Sequence, residues 1–225
     1  MELIPFSDET LAQIRPLAHC QPTVRRGGCI WQGVSSELIL KKPVSPPVTA
    51  PSTILVGRIG KLFWLRVEGR GTFQNSVQVK KALQAVMANG THDLVVDLER
   101  CPMMDSTFLG TLTGAALNLR ETNGGSLSVL NANARNLQLL SDLGLDHIME
   151  VDTTGEAWPA EREMACAQLA TCGERGASCK IEHTQHVLEA HQTLAEMSQT
   201  NEGRFRDVIH FLEKELEEQP ELATS

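Results

Sequence analysis

Two hydrophobic periods alternate along residues 54–165, and that alternation restricts the fold more than any other feature of the chain. Ile54–Ile59 and Leu62–Glu68 read as strands joined at Gly60-Lys61. In the second, Phe63, Leu65 and Val67 alternate with Trp64, Arg66 and Glu68. The period then lengthens. Val79, Ala82, Leu83, Val86 and Met87 share one face of a helix that Asn75 or Ser76 caps and Asn89-Gly90 ends. Leu94–Val96 is a strand. Leu109, Leu112, Ala116 and Leu119 make a second helical stripe that stops at Asn123-Gly124-Gly125. Ser126–Leu130 is a strand, and Asn133 caps a third helix ended by Gly144. His147–Val151 is a last strand, and Thr153 or Thr154 starts a fourth helix. This order of elements predicts the α/β class. The sheet is mixed but largely parallel, with helices packed against it and an α-helical C-terminal extension.

Four segments follow from the composition along the chain. Residues 1–42 show no readable element order. Residues 43–53 hold four prolines, which favour extended backbone and mark a linker. Residues 54–165 are the α/β domain. Residues 166–225 form an acidic helical extension. In that extension residues 184–199 carry a stripe of Leu188, His191, Leu194 and Ala195. Residues 204–218 carry Phe205, Val208, Ile209, Leu212 and Leu216. With Gly203 between them, the pair reads as a helical hairpin or one interrupted helix. Short helices are marginal alone, so they should pack on the domain, on each other or on a second copy of the chain.

Charge excludes some functions. The formal net charge of −8 is unevenly placed. Residues 1–53 carry 5 basic and 4 acidic side chains, residues 54–155 carry 9 and 10, and residues 156–225 carry 6 and 14. A near-neutral middle and an acidic tail offer no footprint for a phosphate backbone, so nucleic acid is not an expected partner. No apolar run approaches the roughly 18 residues of a spanning helix, and no secretory signal is expected from the first residues. Six scattered cysteines are a poor disulfide framework, which suits a cytoplasmic location.

The stretch Val95–Gly110, VVDLERCPMMDSTFLG, carries the functional signal. A strand ends at Asp97-Leu98, a loop follows, and a helix opens after Asp105-Ser106-Thr107. Ser106 therefore sits at a helix N-terminus, where free N–H groups and the dipole favour an anion. Asp-Ser-Thr is also an ordinary N-cap. The alternative is a phosphorylation site, where a phosphate of roughly −1.5 to −2 charges would be tolerated by the helix and repel a docked partner.

Asp105-Ser106-Thr107-Phe108-Leu109-Gly110, after an apolar strand and a Pro-Met-Met loop, resembles the signature of STAS domains. These are the sulfate-transporter and anti-sigma-factor-antagonist modules. Residues 136–146 and the Thr-Thr-Gly-Glu-Ala after them are similar to that family's closing segment. The resemblance covers about residues 54–165. It implies a STAS-like fold and, for the antagonist branch, binding to an anti-sigma factor that is a serine kinase, with a phosphatase reversing the modification. It maps the phosphoacceptor to Ser106, the recognition acid to Asp105 and a neighbouring hydroxyl to Thr107. Phe108 stands where the family often has glycine, which implies a bulkier local surface. Partner binding is thus expected at Asp105, Ser106, Thr107 and Phe108. The absence of a membrane domain disfavours the transporter branch.

Other chemistries are weaker. Met104 and Phe108 flank Ser106 where a nucleophile elbow needs glycines, and no His-Asp pair is placed by sequence, so no catalytic residue is expected. Cys172, Cys179, His183 and His186 match no zinc spacing, so no metal or cofactor is expected. The four histidines of the tail, at 183, 186, 191 and 210, read as an exposed helix face. Sustained heptads are missing. A homodimer through the C-terminal helices stays open, as does a non-switching scaffold that uses the STAS fold for assembly.

Overall fold

The computed structural model describes residues 52–172 and 180–218. The N-terminal segment, nearly all of the Pro-rich linker and Cys179 lie outside the described residues. β1 (Thr53–Ile59) and β2 (Leu62–Glu68) form an antiparallel hairpin in which Ile59 faces Leu62 across Gly60-Lys61. Then follow α1 (Phe73–Ala88), β3 (Asp93–Asp97), α2 (Ser106–Asn123), β4 (Ser126–Leu130) and α3 (Ala134–Asp142). A 3₁₀ turn at Leu145–His147 leads to β5 (Glu150–Val151), α4 (Pro159–Gln168) and β6 (Ala170–Thr171). α5 (Lys180–Glu196) and α6 (Gln199–Glu217) complete the described chain.

The six strands form one sheet in the order β5-β4-β3-β2-β1-β6. β2, β3, β4 and β5 run parallel, while β1 is antiparallel to both neighbours. The fold is thus the mixed, largely parallel α/β arrangement with a helical C-terminal extension that the alternating periods predict. The sheet also draws on residues beyond 165, because β6 covers the free edge of β1.

Each sheet face has its own core. Phe63, Leu65, Val67, Leu94, Val96, Leu127 and Val129 point to one side, where α1, α2 and α3 bury Val79, Leu83, Leu109, Leu112 and Leu140 against them. On the other side Trp64, Val95 and Leu130 pack under α4 through Ala165, with Trp158 and Leu169 beside it. Of the residues that alternate with Phe63, Leu65 and Val67 in β2, Trp64 and Arg66 are both buried. Arg66 pairs with Asp97 at 2.8 Å, and Asn131 Nδ2 donates to the other Asp97 oxygen.

Four boundaries differ from the sequence reading. The last strand is only Glu150–Val151, because His147 closes a 3₁₀ turn from Leu145. α1 starts earlier, because Thr72 caps it and the Asn75 side chain accepts from the Thr72 N–H. α4 starts at Pro159 rather than at Thr153 or Thr154. The Asp152 carboxylate holds residues 154–157 in a loop by accepting N–H bonds from Thr154, Gly155 and Ala157. Burial pushes this carboxyl up, but the bonds from Gly155, Thr154 and Ala157 outweigh it and the net shift is down. The break in the tail falls at Met197-Ser198, since Ser198 caps α6 by accepting from Asn201 N–H. Gly203 lies inside α6.

Candidate functional site

α1 and α2 both begin at the C-terminal ends of parallel strands, β2 and β3, the edge where open α/β sheets hold their sites. Backbone bonds stitch the two starts together: Gly71 N–H donates to Met103 O, and Asp105 N–H donates to Gly71 O. The Asp105 side chain completes the seam. One carboxylate oxygen accepts from Phe108 N–H at 2.9 Å, capping α2, and the other accepts from Phe73 N–H at 2.8 Å, at the first residue of α1. A single acid thus satisfies a free donor at two helix N-termini. Both oxygens are engaged within the domain.

Ser106 is the first residue of α2 and half-buried. Thr107 and Phe108 point inward and are 4% and 0% exposed. The Phe108 ring lies against Gly71, where an added Cβ would stand 2.8 Å from it. The implied bulkier surface at Phe108 is therefore not found: the larger side chain fills core space that the glycine leaves. Cys101, in the preceding loop, is a buried thiol that donates to Met103 O, and burial raises its pKa.

The tail supplies what the sequence reading missed. α5 lies across α2, with Ala190 over Gly110. A Cβ at Gly110 would stand 2.2 Å from the Ala190 carbonyl oxygen, so only glycine permits this approach. His191 Nε2 is 2.9 Å from Ser106 Oγ. Its Nδ1 lies 2.8 Å from Val187 O, which can only accept, so Nδ1 carries the proton in the neutral ring and Ser106 O–H donates to Nε2. Phe205 of α6 packs edge-on against the same ring.

His186 repeats the arrangement with the opposite tautomer. Ser76 Oγ donates to Phe73 O and Thr111 Oγ1 donates to Thr107 O, so each hydroxyl has spent its proton. His186 Nε2–H must then donate to both, at 3.0 and 3.2 Å. Nδ1 is left buried with no hydrogen-bond partner among the described residues. Burial first, and then the Lys80 and His183 charges, hold the ring neutral by lowering its pKa to about 4 against an opposing contribution from Glu189. Lys80 of α1 and Glu189 of α5 form an ion pair nearby.

The expectation of an exposed histidine face thus fails for His186 and His191, each 6% exposed. His183 instead meets the Phe73 ring at its edge. The buried stripe of α5 runs through His186, Ala190, His191 and Leu194. Two imidazoles in that stripe disguised it as polar. The glycine and hydroxyls of α2 that receive it, Gly110 and Thr111, were the available signal.

A cavity of about 180 Å³ opens where α1, α2 and α5 meet, lined by Lys80, Leu83, Met87, Gly114 and Asn118 among others. Ser106 is not in its lining. Among the described residues no three His, Cys, Asp or Glu side chains stand together as a metal site, and no helix is long and apolar enough to cross a membrane.

A family model described as "Mlab, STAS domain" matches residues 60–150. Among solved structures the chain is similar to an anti-sigma factor antagonist from Mycobacterium paratuberculosis, at 19% identity and a TM-score of 0.42 over 55% of this chain and 98% of that one. It is similar to the anti-sigma factor antagonist SpoIIAA in its unphosphorylated form, at 16% identity and a TM-score of 0.40 over 49% and 97% of the two chains. It is also similar to the Bacillus cell fate determinant SpoIIAA in the phosphorylated form, at 20% identity and a TM-score of 0.40 over 49% and 98%. No curated protein matches the chain.

Proposed function

We propose that this chain, whose residues 60–150 belong to the STAS domain family, is a phospho-switched protein-binding module of the anti-sigma-factor-antagonist kind. The observation that carries the reading is the position of Ser106. Its hydroxyl is at the first residue of α2, beside the start of α1, on the edge of the sheet where both helices begin. A phosphate there would meet the N-terminal dipole of an 18-residue helix and be tolerated by α2 itself, while displacing the His191 contact of α5. It would also place a dianion next to Asp105, whose carboxylate already holds the two helix starts together. A partner seated on that surface would be repelled.

In this reading the partner is an anti-sigma factor that is also a serine kinase, and a phosphatase resets the switch. Asp105 shapes the surface through its two backbone bonds, and Ser106 carries the signal. Thr107 and Phe108 contribute from below by fixing α2 in place. The chain works in the cytoplasm by binding, with no reaction of its own.

The test is phosphorylation by candidate kinases with ATP, with the site mapped by mass spectrometry. Modification at Ser106, lost in Ser106→Ala, is the expected result. Ser106→Asp should keep the fold and weaken kinase capture at least tenfold in a pull-down. A second reading has its own support: the Ser106 hydroxyl is tied to His191, as in a latch of a non-switching scaffold. That reading gains if no cognate kinase modifies Ser106 while Ser106→Ala loosens the C-terminal helices.

A further inference from the structure

The face of α1 and α2 that starts at Ser106 is covered by α5. Three features show a surface shaped to receive a helix. Gly110 lets a backbone approach so closely that any Cβ would collide with Ala190. Ser106, Ser76 and Thr111 present hydroxyls that meet two imidazoles of the covering helix. Lys80 supplies the cation for Glu189 at the rim.

We propose that this face is a helix-docking surface held closed by the chain's own α5, so that Ser106 becomes accessible only when the α5–α6 hairpin leaves. A competing partner would present the same chemistry: a helix with a small residue over Gly110, a hydrogen-bond acceptor over Ser106 and an acid for Lys80. The proposal rests on the reading of Ser106 as a switch for its consequence, but the closure stands on the contacts alone.

The contacts suit reversible closure. Those on α2 and α1 include three hydrogen bonds and an ion pair, whose groups water satisfies on opening. Closing also buries His186 Nδ1 without a partner, a cost that opening removes. Against this, Leu194 and Phe205 join the main core and make the closed form the resident one. Asn201 Nδ2 donates to Leu143 O and ties the start of α6 to the end of α3. The hairpin therefore has an anchor at its turn while α5 is the part lying on the serine.

The experiment reads access to position 106 without any kinase. In a Ser106→Cys background the full chain is treated with N-ethylmaleimide, and fragment ions assign the label to position 106. Ala190→Glu, which alters only the covering helix, should speed that labelling at least tenfold. Equal rates overturn the proposal. The unsubstituted chain supplies a second measurement, amide hydrogen exchange. Residues 184–196 should exchange ahead of β3 and β4; exchange only together with those strands overturns the proposal equally. This second measurement decides alone if Ala190→Glu exposes the strands as well. Failure here leaves modification of Ser106 untouched. A chain that opens but is never phosphorylated counts against the switch and not against the closure.

Discussion

At the scale of single residues, the motif around Ser106 divides between surface and core. The sequence resemblance puts Asp105, Ser106, Thr107 and Phe108 on one docking patch, yet consecutive helical residues point in different directions. Ser106 stays half-buried beneath α5, whereas Phe108 is turned through two positions into the core. Its role can be separated by measurement. A docking residue cut to alanine loses affinity and keeps stability. A core phenylalanine loses stability by about 3–5 kcal/mol, because transfer and cavity costs add. Phe108→Ala should therefore lower the unfolding free energy measured by urea titration by that amount; a value within about 0.5 kcal/mol of the parent would return Phe108 to the surface. The location of Ser106 at a helix start was legible, since Asp-Ser-Thr before an apolar stripe is a cap signal. The contact with His191 was not, because 85 residues separate the pair and no local rule spans that distance.

At the scale of elements, strands and the middle helices were legible because their periods were clean. β2 and β4 stand where their apolar runs lie, and Asn133 caps α3 as its sequence suggests. α4 was misplaced because Thr153-Thr154 mimics a cap, while the Asp152 carboxylate uses the same donors to build a loop. The turn of the hairpin was misplaced because Gly203 looks like a breaker, while Ser198 offers the stronger cap. A glycine inside a helix costs about 1 kcal/mol, which the packing of Phe205 and Leu212 offsets. α5 carries a pH dependence of its own. His186 has a folded pKa near 4, below its ordinary value of 6.5. Lys80 on α1 and His183 on α5 push it down and Glu189 on α5 pulls it up, with burial the largest cause. A base depressed in the folded state binds its proton more readily when unfolded, so it contributes stability fully above pH 6.5. That contribution falls as pH drops from 6.5 toward 4, by up to about 1.4 kcal/mol per pH unit. In urea titrations at several pH values, His186→Gln should flatten this slope. Parallel curves for the two proteins would show that His186 is not the titrating group.

At the scale of the whole molecule, the charge and the structure divide the chain at different places: the acidic excess begins at residue 156, but α4 and β6 beyond it still belong to the sheet and its helices. The sheet and its four helices form one part, and the rest of the acidic tail folds back as α5 and α6 with Glu202, Glu213 and Glu217 outward. The two parts carry different optical reporters. Trp64 and Trp158 both sit on the α4 side of the sheet, away from the hairpin. The third tryptophan, Trp31, lies outside the described residues and is removed by Trp31→Phe. Helix content is shared: α5 and α6 hold 17 and 19 residues, against 16, 18, 9 and 10 in α1 to α4, so the hairpin carries a large minority of it. Fluorescence therefore follows the sheet, while far-UV circular dichroism follows the hairpin as well. A hairpin that gives only Leu194 and Phe205 to the buried core, and meets α1 and α2 through hydrogen bonds and an ion pair as well, should leave at lower urea than the sheet unfolds. Ellipticity should fall first and tryptophan emission later, so the two transitions separate. Coincident transitions are the signature of one cooperative unit, and would mean that the acidic helices are as much a part of the fold as the strands beneath them.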